Sequence, residues 1–434
     1  MYFCRLIFMK KRKNIHFSIF YFLLILAVGS IPFTKFLLLP ITLLLFLNFI
    51  VEGAWKEKLA RLKNPKVLFF MLLFVSFYLL YCIGLFYSSN WRTALSSLEC
   101  KLILFIAPIV ILSSDISQFT QKKVHFLWKV FIFSSSLLII TNLAISLSEA
   151  ITFHNYKLFF FYSKLSHFMH PSYSAMHITI ALAFSLYFLF FNKQASPRWE
   201  TYFLYATLPL FFIYIILLQS KAGILILGFL IFIFTLFYIN RKKRYFFRSF
   251  IFILAVLLAG YFVIFKFSAP FNRLHIAWEA ISTPKEGTEQ ANDGTSLRLA
   301  VWQVSFDLGV KNLPFGVGTG DTNDELVKRY REDNMTYVLK KELNAHNQYL
   351  QTFLALGILG ILLLLAHFII PLIYAVKYRQ WVYIIFIITI LLNFLVESML
   401  ERRDGTNFIA IFNALFCYLM IYKHDKEEAP SYVA

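Results

Sequence analysis

Charge is scarce in this chain, and acidic charge scarcest. Only 15% of its 434 residues are Asp, Glu, Lys or Arg, and 23 acids stand against 42 Lys and Arg. A soluble chain of this size could not cover its core with so little polar surface, so a string of soluble domains is excluded. Cysteine is equally rare. Cys4 lies in the N-terminal tail, and Cys82, Cys100 and Cys417 lie in or beside apolar runs. None has CxxC or zinc-ligand spacing, which argues against a disulfide framework or a metal site. HExxH is missing, and no carboxylate joins His167, His170 and His177 at ligand spacing. Internal repeats and low-complexity tracts are also missing, and the one long polar segment follows the ninth apolar run, not the sixth, an asymmetry that argues against the paired halves of many transporters.

What is present is apolar. Hydrophobic residues make up 59% and aromatics 19%, with 52 Phe and 24 Tyr, and the mean hydropathy is +0.67. Runs of about 17–25 apolar residues are the length of a membrane-spanning helix. Twelve are expected, near 15–31, 33–51, 67–87, 98–113, 124–146, 171–191, 200–219, 222–239, 248–267, 347–366, 381–397 and 405–422. The fold class expected is all-α: a polytopic membrane protein with a large, partly helical outer loop between the ninth and tenth helices. The divisions are a tail at 1–14, helices at 15–267, the loop at 268–346, helices at 347–422 and a tail at 423–434.

Basic residues orient the spans. Arg5 and Lys10 to Lys13 precede the first; Lys56, Lys58, Arg61, Lys63 and Lys66 fill the second gap. Lys122 and Lys123, Lys193 and Arg198, Arg241 to Arg244, and Lys377 and Arg379 follow in alternate gaps. By the positive-inside rule both termini are cytoplasmic. The net charge of +19 therefore reads as orientation, not as a nucleic-acid surface. The first apolar run follows a signal-like basic patch but lacks a small-residue cleavage site, and reads as a retained helix.

Two outer gaps are long, at 147–170 and 268–346. The first is aromatic from Tyr156 to Tyr162, and is expected to lie in the interface or re-enter the membrane. The second, about 80 residues, exceeds ordinary loop lengths and is expected to be functional. Within it, Leu297 to Leu308 and Asp324 to Glu332 have helical character.

The candidate chemistry gathers on that outer side. Asn344-Ala345-His346-Asn347-Gln348-Tyr349 leads into an apolar helix that runs through Gly357 and Gly360. A neutral imidazole at a helix N-terminus can accept a proton, and the same N-terminus attracts phosphate oxygens. The other reading of His346 is an interfacial histidine satisfying a backbone group. Tyr349 falls on the same face. Arg298, in Ser296-Leu297-Arg298, offers a planar fork for phosphate, or is an ordinary surface cation. Pro314-Phe315-Gly316-Val317-Gly318-Thr319-Gly320 is a tight turn or a backbone nest for an anion; its GxGxG spacing is no dinucleotide fingerprint. Lys221, in Ser220-Lys221-Ala222-Gly223, is pinned at a short outer turn, as a snorkelling anchor or a clamp on a lipid phosphate. Glu397, Glu401, Arg402, Arg403 and Asp404 crowd the last outer turn, as a salt-bridged cap or as contacts for a glycan. Glu99 and Lys101 are expected to pair locally.

These residues together resemble the O-antigen ligase and O-antigen polymerase superfamily, from the seventh span onward. The resemblance rests on Ser220 to Gly223, Arg298 with Trp302, Pro314 to Gly320, and His346 to Leu350 with Gly357 and Gly360. It implies a bacterial inner-membrane glycosyltransferase, inverting and metal-independent, with no cofactor. It implies a polyprenyl diphosphate-linked glycan as donor and lipid A-core or another glycan as acceptor. His346 lands on the family's acceptor-side histidine, and Lys221 and Arg298 on its two diphosphate-binding cations. The first is usually arginine, so Lys221 departs from the pattern and loses the bidentate fork. His170, Arg273 and Tyr349 are added as substrate-positioning candidates. A repeat-unit polymerase of the same superfamily is the alternative. A twelve-helix transporter or flippase is the alternative of another class, disfavoured because the candidate charges sit at outer ends, not at the midplane.

Overall fold

A computed structural model describes residues 2–33, 37–115, 117–155, 159–192, 197–241 and 294–428. Among these every regular element is helical, as lipid requires of any chain that must satisfy its own backbone without closing a barrel. The order is α1 (Tyr2–Ser30), α2 (Leu38–Glu52), α3 (Trp55–Leu62), α4 (Pro65–Leu85), α5 (Trp91–Lys101) and α6 (Ile103–Leu112). There follow α7 (Gln121–Thr152), α8 (Tyr162–Leu165), α9 (Pro171–Phe190), α10 (Arg198–Leu217) and α11 (Lys221–Arg241). After residue 293 come α12 (Gly294–Lys311), α13 (Thr322–Glu332), α14 (Thr336–Lys341), α15 (Gln348–Lys377), α16 (Trp381–Phe394) and α17 (Arg403–Glu428). The expected ninth span at 248–267, the first part of the outer loop and Arg273 lie outside the described residues.

Eight helical stretches among the described residues are long and apolar enough to cross a membrane: α1, α4, α5 with α6, α7, α9, α10, α15 and α17. α2 and α3 form a pair bent by 106°, and α11 and α16 are shorter apolar helices. Starts are set by local chemistry. Asn64 caps α4 by accepting from Lys66 N–H and Val67 N–H, with Pro65 next to it. His170 precedes Pro171 in the same way at α9.

α17 and α9 form the centre. The apolar window of α17 is 100% buried and that of α9 83%, against 28% for α1 at the periphery. Rings fill the space between them: Trp128 of α7 stacks on Phe184 of α9 at 4.6 Å, and Phe131 meets Phe412 of α17 at 4.9 Å. A second, smaller core stands apart. Val301, Val304 and Leu308 of α12 pack with Leu326 and Tyr330 of α13, Val338 of α14 and Leu354 of α15. The later part of the long loop is thus a folded helical unit.

α15 departs from the unbroken span expected at 347–366. At Gly357 its backbone leaves the helix, with φ 61° and ψ −150°. Residues eight apart in a straight helix are separated by about 12 Å. Here a Cβ placed on Gly360 would sit 3.2 Å from the Thr352 methyl, so the chain folds sharply at Gly357. The glycine-rich segment after α12 repairs the break. Val317 and Gly318 donate their N–H groups to the carbonyls of Leu354 and Ala355 at 2.8 and 2.9 Å, and Ile358 N–H donates to the Pro314 carbonyl at 3.0 Å. The same strap ties α4 and α5: Thr319 Oγ1 donates to the Tyr81 carbonyl, and Asp321 accepts from Ser89 and Asn90 N–H. Val317 and Gly318 N–H are therefore committed to helix carbonyls, and the segment works as a structural strap.

Candidate functional site

The site is built where α9, α12, α15 and the turn between α16 and α17 meet. Its centre is Glu397, which the sequence offered within a charged turn, as part of a salt-bridged cap or a glycan contact, and not as a partner of His346 and Arg298. One carboxylate oxygen pairs with Nη2 of Arg298 at 2.8 Å, and the other faces Nδ1 of His346 at 3.2 Å. The Glu397 side chain is 8% exposed, while Arg298 and His346 are 28% and 29% exposed. A buried carboxylate thus holds two side chains that both reach the surface.

The backbone around His346 explains its pose. The helix cap is Asn347, not His346. Its side-chain oxygen accepts from the N–H groups of Tyr349 and Leu350 at 2.9 and 3.1 Å. Two donors that could have met a phosphate are therefore taken. His346 sits one residue before the cap at φ 43°, with its N–H donating to Asn344 Oδ1. That left-handed turn directs the ring away from the helix axis, towards Glu397. The turn is anchored on the other side as well: Asn347 N–H donates to Ser398 Oγ, Asn347 Nδ2 to the Leu395 carbonyl, and Leu400 N–H to Gln348 Oε1. With the His346–Glu397 contact, these three hydrogen bonds register the His346 turn against the Glu397 turn.

Electrostatics follow from this geometry. Burial works to raise the Glu397 pKa, but the contacts with His346 and Arg298 outweigh it and hold the carboxyl below its ordinary value. His170 belongs to the same field. Burial pushes its pKa down, Glu397 acts to raise it, and Arg298, Arg402 and His346 add to the lowering. In a neutral His346 ring that donates Nδ1–H to Glu397, Nε2 is left as the acceptor. One hydrogen bond from Arg298 to Glu397 leaves the rest of a five-donor guanidinium for an anion.

The other candidates are placed as follows. Lys221 opens α11 at the short turn after α10, where Ser220 Oγ accepts from Gly223 N–H. Gly223 lies against Ala175 in the first turns of α9, close enough that a Cβ would sit 2.6 Å from that of Ala175. Lys221 and His170 therefore share one end of the bundle on adjacent helices. The Tyr349 hydroxyl is engaged elsewhere, donating to the Leu391 carbonyl at 2.9 Å. Glu99 and Lys101 do not pair with one another: Glu99 bonds Arg403 and Lys101 bonds Glu401. The turn before α17 is accordingly a brace between α5 and α17, except at Glu397, which reaches the opposite way. Among the described residues no group of three His, Cys, Asp or Glu side chains is arranged to hold a metal.

Residues 206–365 match the family model of the O-antigen ligases. The matched stretch holds Lys221, Arg298 and His346 and ends inside α15, short of Glu397. No curated protein matches the sequence. The family's members are membrane glycosyltransferase-type enzymes that use a lipid-linked glycan donor and a glycan acceptor. Over residues 206–365 this multi-pass membrane chain is thus similar to the O-antigen ligase family.

Proposed function

We propose that the protein transfers a glycan from a polyprenyl diphosphate carrier to an acceptor hydroxyl, with lipid A-core as the acceptor, at the periplasmic face. The observation that carries this reading is the Glu397 carboxylate shared by His346 and Arg298. It joins a proton acceptor and a phosphate-binding cation at one bundle end and sets their separation.

In this mechanism the Nε2 atom of His346 takes the proton of the acceptor hydroxyl as its oxygen attacks the anomeric carbon. Attack comes from the face opposite the diphosphate, so the configuration inverts. The C–O bond to the diphosphate breaks, and the bond's electron pair leaves with the phosphate oxygen. Arg298 and Lys221 offset the charge that grows there, a contribution made mainly in the transition state. Glu397 keeps the His346 ring in the required tautomer and stabilises the imidazolium as it forms, the role a buried carboxylate has beside a catalytic histidine in hydrolases. The diphosphate ester is already activated, so no nucleotide is consumed.

The test is transfer by purified protein in detergent. His346→Ala and Arg298→Ala should insert and fold yet transfer no glycan; normal transfer by His346→Ala would remove the proposed base. Cells lacking the gene distinguish ligase from polymerase. Loss of a ligase leaves finished polymer on the carrier lipid, and loss of a polymerase leaves single repeat units.

A further inference from the structure

At the end of the bundle away from His346 the chain builds a second polar site. Thr406 of α17 donates to the Cys100 carbonyl beside the Glu401 brace, whereas Tyr418 donates to the Phe119 carbonyl. The helical stretch between Thr406 and Tyr418 rises about 18 Å. The link from α6 to α7 therefore lies near the opposite membrane face.

Beside that link α2 ends, and the chain turns by 106° into α3. The turn is made by Gly53 and Ala54, at φ 70° and 49°. Cations take carbonyls left open at the end of α2: Arg12 donates to Val51 O at 2.7 Å and Lys58 to Phe49 O. Lys58 also pairs with Glu52 at 2.8 Å and stands 3.8 Å from the centre of the Phe49 ring. α3 thus lies across the bundle end, not along it. Trp55 and Leu59, one turn apart, are 50% and 60% exposed on it. An apolar pair on a highly charged helix at a bundle end is the pattern of an interfacial helix.

α1, the α2–α3 elbow and the α6–α7 link enclose a cavity of about 390 Å³. Its lining carries Lys13, Lys58 and Arg61 together with Glu52, Glu57 and Asp115, a balance of zero. Lys13 bridges Glu57 at 2.9 Å and Asp115 at 2.7 Å. The remainder includes apolar wall, among it Phe20, Phe49 and Val110.

A simple anion in this cavity would meet three carboxylates, and a simple cation three cations. A ligand with both signs on a short linker can exchange partners with the existing pairs at no cost in net charge. Carboxylates with accepting oxygens favour an ammonium that still has N–H donors over a quaternary one. The interfacial helix, with Trp55 and Leu59 exposed, places such a ligand at the edge of the lipid. We propose that this cavity holds the headgroup of a phosphoethanolamine lipid from the leaflet opposite the His346 site. Glu52 and Glu57 take its ammonium, and Lys58 and Arg61 its phosphate.

The test uses the full chain in nanodiscs of equal parts dioleoyl phosphatidylethanolamine, phosphatidylcholine and phosphatidylglycerol. Lipid retained after detergent release is read by native mass spectrometry. One ethanolamine lipid per chain is expected, enriched about tenfold over each of the others, the effect of roughly one 1.4 kcal/mol contact. The Glu52→Gln/Glu57→Gln variant, checked for an unchanged size-exclusion profile, should lose the preference for ethanolamine over choline. Equal or greater retention of the glycerol lipid by the unaltered protein overturns the zwitterionic reading, and this arm stands even if the variant fails to fold. Thermal stabilisation by soluble glycerophosphoethanolamine with no lipid retained overturns the lipid source.

Discussion

Glu397 Oε2 stands 3.2 Å from Nδ1 of His346, across 51 residues of chain. Replacing it with Gln keeps the shape and removes the charge that orients and stabilises the ring. If the carboxylate positions His346 as base, Glu397→Gln should lower kcat by about 100-fold or more, the scale of a general-base contribution. Its KM for the lipid-linked donor should move little. Steady-state kinetics in detergent read both. An unchanged kcat with a raised KM would assign Glu397 to holding Arg298 alone.

The pKa directions make the site sensitive to acid. Glu397 is held below the ordinary 4.5, so the stability it contributes is present above that value and is lost as pH falls through the folded pKa. His170 is held below its ordinary 6.5 by burial first. The unfolded chain therefore binds its proton earlier, and stability declines as pH drops from 6.5 towards the folded value. His170→Asn keeps a helix-capping acceptor and removes the titration. Melting curves at a series of pH values should show a steeper loss just below 6.5 in the parent than in His170→Asn, while both retain the loss below 4.5. A parallel decline in both proteins just below 6.5 would clear His170.

What could be read from the sequence was what is local. Apolar runs and starts such as Asn64-Pro65 and His170-Pro171 mark helices through neighbouring residues, and outside the ninth each expected span overlaps a helix. Arg298 and His346 could be chosen by residue type and position. Their organiser could not, because Glu397 meets Arg298 across 99 residues and sat among four other charged residues in one turn. The break in α15 was hidden for the same reason. Leu356-Gly357-Ile358 looks like any apolar helix, and its repair comes from the strap at Pro314 to Gly318.

The strap predicts a steep cost at one glycine. A Cβ on Gly357 would lie 1.8 Å from the Pro314 carbonyl oxygen, at a φ of 61° that side chains disfavour. The conformational term alone is about 1–3 kcal/mol, and the clash would also part the strap from α15. Gly357→Ala should therefore melt far below the parent and lose activity with it. Gly228→Ala is the control. Nothing lies within 4 Å of a Cβ there, and in a helix interior the change should be neutral or stabilising by up to about 1 kcal/mol. Similar melting shifts for the two variants would contradict the strap.

Lys101 is fully buried, and its ammonium group lies 2.8 Å from Glu401 Oε2, 2.8 Å from Ser97 Oγ and 4.6 Å from the centre of the Tyr81 ring. This pair joins α5 to the turn that carries Glu397. Removing one partner of a buried pair leaves the other charge unpaired at a cost of about 3–5 kcal/mol, whereas replacing both with apolar groups is often neutral. Lys101→Met and Glu401→Leu should each destabilise strongly, with Glu401→Leu the worse because it strands the fully buried Lys101 ammonium, whereas the Glu401 side chain is 20% exposed. The double variant should recover most of the melting temperature. Because the brace also sets the height of the turn, the double variant should still show reduced transfer, with the loss in kcat. Full recovery of both stability and kcat would mean that the brace holds the fold but does not place Glu397.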